Sequence, residues 1–338
     1  MRSEALIVTS IPPRVFGASD AKHSTTTAVA SFEQSGFRVV SLGRPGEPSG
    51  SDHFPTVQFR EASARGVIPN RYGPSFGDLL EVVGDQGVGA IVNADIYLAK
   101  SNIVDVLKAS SDVVFVARRV DVEQLGGTVI GVYQRGIDGI FFSRNTSSEI
   151  RDDPELACFQ LGAPYWDVVL PTAASFHHQL RFLPAPLLSH PIHEAKWNDE
   201  DYRQLRSQAV KAIVNHAERH RHRSGKADAF LKGLERHLDA TRPNSPLRRE
   251  KQIAEYMGYW LGSYEAEGVE LELDLSDPVM RASAQRLFAY SAEGLSLARL
   301  LDTRDLSLPV VAKLAFRAFR KSFKARRRAR QMERRLKL

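Results

Sequence analysis

Apolar residues run almost unbroken through Ala5-Leu-Ile-Val8, Val88-Gly-Ala-Ile-Val92 and Val113-Val-Phe-Val-Ala117. Short runs of this kind, bounded by turn residues, read as strands buried on both faces. The pattern predicts strands at 5–10, 37–42, 56–59, 88–92 and 112–119, with shorter ones at 128–133 and 140–143. Between them the apolar positions switch to helical spacing. Ala28 and Phe32 belong to a helix from about Ser24 to Gly36, where a glycine suits a helix end of positive φ. Phe76, Leu79, Leu80 and Val83 mark a second helix, and Ile103–Ser110 a third. The stretch GRPGEPSGSDHFP, from Gly43 to Pro55, is turn and loop material. Apolar strands alternating with helices predict an α/β fold, a parallel or mixed sheet flanked by helices.

Past about Asp199 the pattern changes. Helical spacing dominates at 201–222, 227–238 and 250–263, and VELEL (269–273) is the one strand signal. The expected organisation is an α/β domain over 1–198, a helical region over 199–305 and a tail over 306–338. A chain of 338 residues suits two domains, or one large domain with an appendage. Cys158 is the single cysteine, which excludes a disulfide framework and a thiolate metal cluster. The N-terminal apolar run is too short for a signal peptide, and no window approaches the roughly 18 apolar residues of a membrane span. A cytoplasmic location is therefore expected.

Charge is unevenly placed. Twelve of the 46 Lys/Arg lie in 313–338 with one acid, Glu333, so the net +6 belongs to the tail and the rest is mildly acidic. Within the tail, Val311, Leu314, Phe316, Phe319 and Phe323 share one helical arc, and Lys313, Arg317, Arg320, Lys321 and Lys324 the other, after Pro309. An aromatic face opposite a cationic one suits an anionic membrane surface, so 308–324 is expected to dock on the inner membrane face. Packing on the acidic body is the alternative. No nucleic-acid reader accompanies the cations, and none is expected as a partner.

Candidate chemistry gathers at strand ends. Asn93 and Asp95 follow the strand 88–92, where ligands bind in open α/β sheets. A carboxylate and an amide oxygen two residues apart can offer ligands to Mg²⁺ or Mn²⁺, or can be a turn cap and a solvated acid. In FQLGAPYWDVVLP (159–171), Trp166 could stack on a sugar and Asp167 act as general base, or the pair could be core and cap. In LSHPIHEAKW (188–197), His190 and His193 could be metal ligands or structural histidines. Asp138 lies in the turn GIDG as a turn residue or a sugar contact. His216, His220 and His222 read as a solvated helix face with no function. There is no G-x-x-x-x-G-K-[ST] element, and no G-x-G-x-x-G follows the first strand, which argues against P-loop and common dinucleotide binding.

Taken together, VTSIPPR (8–14), AIVNADIYL (90–98), GIDGIFF (136–142), FQLGAPYWDVVLP and HPIHEAKW (190–197) resemble the GT-A class of nucleotide-sugar glycosyltransferases. Within that class the likeness is to a bacterial group from polysaccharide biosynthesis, over residues 5–200. The resemblance implies a nucleotide-sugar donor, a saccharide or lipid-linked acceptor and a divalent cation, Mn²⁺ or Mg²⁺. Asn93-Ala94-Asp95 stands where the class carries D-x-D, with Asn for the first Asp, which removes one formal charge. The resemblance also implies Ser10, Arg14, Arg71, Asn93 and Asp95 at the donor, Asp167 as catalytic base, Trp166 and Asp138 at the sugar or acceptor, and Asp95 with His190 or His193 at the metal. A non-catalytic sugar- or nucleotide-binding protein on the same scaffold, and a membrane-surface adaptor, are the rival readings.

Overall fold

The computed structural model describes residues 5–16, 19–63, 73–84, 87–123, 129–132, 137–144, 146, 148–183, 187–192, 198–264, 269, 271 and 272. The chain opens with β1 (Ala5–Thr9), a short 3₁₀ turn (Pro13–Phe16), α1 (Ser19–Gln34), β2 (Phe37–Gly43) and β3 (Gln58–Glu61). It continues through α2 (Phe76–Gly84), β4 (Gly89–Val92), β5 (Tyr97–Leu98), α3 (Ile103–Ala109), β6 (Val113–Ala117), β7 (Arg119–Val122), β8 (Val129–Val132) and β9 (Gly139–Phe142). Then come α4 (Ser148–Arg151), α5 (Pro154–Ala157), α6 (Trp166–His177), β10 (Gln179–Phe182) and β11 (Leu188–Pro191). Three long helices close the described part: α7 (Asp199–His220), α8 (Gly225–Thr241) and α9 (Pro246–Gly262).

Among the described residues, seven strands form a mixed sheet in the order β10-β6-β9-β4-β1-β2-β3. All neighbours pair in parallel except β9, which is antiparallel to both β4 and β6. Period-two alternation divides β1, β2, β4, β6 and β9 between two cores. Leu6 and Val8 of β1 join α2, α6 and the helices α7–α9 on one face. Ala5 and Ile7 join α1, α3 and β5 on the other. The continuous apolar strands are therefore buried on both sides, which is the α/β layout expected. A second sheet, β5-β11-β7-β8, packs on the α1 side.

Two local features position the site. Because β9 runs against its neighbours, its first residue, Gly139, pairs with Val92 and Ala117, the last residues of β4 and β6. Asp138 is thereby brought to the edge where β4 and β6 end. A Cβ on Gly139 would stand 2.7 Å from Leu188 Cδ1 and 3.0 Å from the Phe141 ring, so glycine is what lets β11 approach. The other feature is α6, which the sequence pattern hides: Pro171 lies inside it and cannot donate to the Asp167 carbonyl one turn back. Its start is also unusual. Tyr165, the N-cap, has φ 72°, a left-handed conformation costly for an aromatic residue.

The expected helices over 201–222, 227–238 and 250–263 are α7, α8 and α9. Sequence marks their starts as N-caps: Asn198 in a capping box with Asp201, then Ser224 and Ser245. Strand 56–59 shifts to Gln58–Glu61. Residues 112–119 divide into β6 and the start of β7, which enters the second sheet. The VELEL segment forms no strand at Val269, Leu271 and Glu272, its described residues.

Candidate active site at the strand ends

The site lies where the two layers meet beyond β4, β6 and the start of β9. Arg119 opens β7, and its guanidinium donates from Nη1 to Asp138 Oδ1 at 2.6 Å and from Nε to Asp121 Oδ1 at 2.9 Å. Register explains the triad. Arg119 and Asp121 are two apart on one face of β7, and β11 pairs beside them in parallel with His190 opposite Asp121. His190 in turn places Nε2 3.6 Å from Asp95 Oδ2. Asp95 lies within a turn closed by the Ile96 N–H donating to the Asn93 carbonyl at 3.2 Å.

Electrostatics extend the cluster to α6. Burial raises the Asp138 carboxyl above its ordinary range; Arg119 and His190 oppose that shift, and Asp95 adds to it. Its Oδ2 is buried without a hydrogen-bond partner among the described residues, an open acceptor that a ligand would satisfy. Asp167, in the first turn of α6, is pushed by burial up to about 8, with Asp138 contributing. Its own backbone N–H and Arg119 pull the other way. Burial opposes the Arg119 charge, but Asp138 and Asp121 outweigh it and hold that guanidinium above its usual pKa. Among the described residues, four carboxyls thus cluster with Arg119 and His190, a site rich in oxygen atoms that suits a bound cation or hydroxyl groups.

The structure brings Asp95, Asp138, Asp167 and His190 into one electrostatic group. Asn93 borders it, with Oδ1 3.7 Å from where a Cβ on Gly162 would lie, so the 160–164 loop abuts the metal-motif position. Ser10 is half-buried after β1. The next residue, Ile11, donates its N–H to Ser41 Oγ at 3.0 Å, which fixes the exit from that strand. Arg14 lies in the 3₁₀ turn with its side chain outside the described part; Arg71 and His193 are outside the described residues altogether.

One expectation is corrected. Trp166 does not present its face to a ligand. It is 4 % exposed in the α6-side core, edge-on to Phe76 at 6.2 Å between ring centroids, because the first turn of α6 points residue 166 inward. The sequence reading missed Arg119 and Asp121. The signal was present: Arg118-Arg119 ends a buried strand just as Asn93 and Asp95 do, and Arg-Val-Asp-Val alternates with period two.

No family model matches the chain, and no curated protein matches it. Among solved structures, Rv0371c from Mycobacterium tuberculosis H37Rv is 16% identical over 61% of this chain and 98% of its own, with a TM-score of 0.33. TarS residues 1–349 from S. aureus, solved in complex with UDP-GlcNAc, is 13% identical over 80% of this chain and 96% of its own, with a TM-score of 0.43. At such scores neither match bears on the chemistry, which rests on the site itself.

Proposed function

We propose that the chain is a glycosyltransferase that moves a sugar from a nucleoside-diphosphate donor to a saccharide or lipid-linked acceptor in polysaccharide biosynthesis. The observation that carries this reading is the gathering of Asp95, Asp138, His190 and Asp167 around Arg119 beyond the ends of β4 and β6. Asp95, Asp138, His190 and Asp167 are residues that the GT-A resemblance assigns to donor, sugar or acceptor, metal and base. A carboxylate and an imidazole 3.6 Å apart fit a divalent ion taking mixed oxygen and nitrogen ligands, which suits Mn²⁺ better than Mg²⁺. Such an ion, when bound, would offset charge on the leaving diphosphate.

The chain's own groups would divide the remaining work. Asp95 and Asn93 would orient the donor diphosphate, with the exit of β1 at Ser10–Arg14 against the nucleotide. The unsatisfied Asp138 Oδ2 would accept a hydroxyl of the transferred sugar, while Arg119 holds the other oxygen in place. Asp167 would take the proton of the attacking acceptor hydroxyl in an inverting transfer. A carboxylate that binds its proton near pH 8 is a stronger base than an ordinary one, and it works best where ionised.

Asn93 in place of an acid favours one rival, a binding protein without turnover on the same scaffold. Thermal shift across nucleotide sugars with Mn²⁺ or Mg²⁺, followed by donor turnover, separates the two. We expect one donor to raise the melting temperature and be consumed, and Asp95→Ala to lose the shift. A shift without turnover supports the binding protein, and no shift with any donor removes both.

A further inference from the structure

At the far end of α6 from Asp167 a second cluster stands apart from the strand-end site. His177 is the last residue of α6, and His216 and His220 lie one turn apart on α7. One nitrogen from each of the three imidazoles lies within 4.8 Å of the others. The helix face that sequence patterning reads as solvated is in fact turned inward at His216, which is fully buried. The reason is a carboxylate far away in sequence: Asp153 Oδ2 is 2.5 Å from His216 Nδ1.

Asp153 orients the His216 ring. It caps α5 by accepting the N–H groups of Glu155 and Leu156, and Arg219 donates to it as well. His216 and Arg219 both meet the same oxygen of this carboxylate, Oδ2. A carboxylate oxygen accepts, so Nδ1 is the His216 nitrogen engaged by Asp153 and Nε2 is the one turned toward the other two rings. His216 Nε2 lies 2.8 Å from His177 Nε2. His220 completes the group, its ring centroid 4.6 Å from those of both His177 and His216. Three imidazoles converging on one point, one of them backed by a carboxylate, form the arrangement by which proteins hold transition-metal ions.

We propose that His177, His216 and His220 bind one zinc-class divalent ion, with Asp153 as the outer-sphere partner of His216. Zn–N bonds of about 2.0–2.1 Å place tetrahedral nitrogens about 3.4 Å apart, between the 2.8 Å contact and the 4.8 Å limit seen here. Small ring rotations reach that geometry. The proton shared in the His177–His216 contact has to leave on binding, to His177 Nδ1 through solvent, which frees both Nε2 atoms for the ion. His220 is partly exposed, so water takes the fourth position. Three nitrogens select Zn²⁺ or Co²⁺ over Mg²⁺ and Mn²⁺, which separates this site from the oxygen-rich one at Asp95. The bound ion ties the end of α6 to α7 and stabilises the fold.

The test uses the full chain, stripped with a chelator and kept in millimolar Mg²⁺. Zn²⁺ affinity is read by competition with a chromogenic chelator, and Co²⁺ geometry by visible absorption. We expect one equivalent, tetrahedral Co²⁺ bands and a raised melting temperature. His220→Ala, on the open side, should melt like wild type without metal yet lose the bands and at least about 100-fold in affinity. Asp153→Asn should lose about 10–100-fold, and His190→Ala should change neither quantity. Absence of a stoichiometric ion in the wild type, or unchanged affinity in His220→Ala, would overturn the proposal and leave a hydrogen-bonded histidine pair.

Discussion

Two residues at the site carry opposite lessons about burial. Asp138 is 3 % exposed and tolerable there because Arg119 supplies a cation at 2.6 Å, although burial still outweighs the pairing. Asp167 has no cation at such a distance among the described residues, and its ionised form is disfavoured. The sign follows from linkage. A carboxyl whose folded pKa is raised binds its proton more tightly in the folded state, so stability is full below the unfolded value near 4 and is lost as pH rises through about 8. Asp167→Asn is expected to raise the melting temperature at pH 8.5 and leave it nearly unchanged at pH 4. Equal effects at both values, by calorimetry, would mean that the carboxyl ionises freely. Asp95 and Asp167 were visible in the sequence from their positions after apolar and aromatic stretches. Arg119 was masked because Arg118-Arg119 closes a strand-like run and its partner Asp138 is nineteen residues on; only the reversal of β9 unites them.

Elements differ in how much of them the pattern reveals. β1, β2, β4 and β6 are legible because each is buried on both faces, so nearly every position is apolar or small. α7–α9 are legible from spacing and N-caps. α6 is not, because Pro164 and Pro171 and the left-handed Tyr165 break every local rule for a helix that tertiary packing nevertheless imposes. The close approach of β9 and β11 is likewise invisible until the sheets are placed. It makes a prediction at Gly139. Alanine there gains about 0.5–1 kcal/mol from reduced chain entropy and loses about 1–3 kcal/mol to overpacking against Leu188 and Phe141. Gly139→Ala should therefore destabilise by about 1–2 kcal/mol in urea unfolding, with weaker donor binding because Asp138 is the adjacent residue. Unchanged stability would show that Leu188 can yield.

For the whole molecule, the helices α7–α9 share one core with the sheet through α6, so the second half of the chain backs the site. No helix among the described residues is long and apolar enough to cross a membrane. We propose that attachment to the inner membrane face comes from the basic segment 308–324, which lies outside the described residues. Near an anionic surface each cation contributes about 1 kcal/mol, enough in sum to hold the protein there at low salt. The full chain is expected to sediment with anionic but not neutral vesicles, and deletion of 308–338 to abolish this while leaving donor turnover intact. Equal binding to both vesicles would remove the electrostatic reading.

The central claim is that Asp167 accepts the acceptor's proton beside a donor held at Asp95 and Asp138. Sugar transfer from the matching nucleotide donor, followed against pH in wild type and Asp167→Asn, tests it most directly. Turnover in the wild type should rise with pH toward about 8, the value to which burial pushes the base. Asp167→Asn should bind the donor as before but turn over about 10²–10⁴-fold more slowly. An Asp167→Asn variant with wild-type turnover, or a pH profile already flat by pH 5, would contradict it.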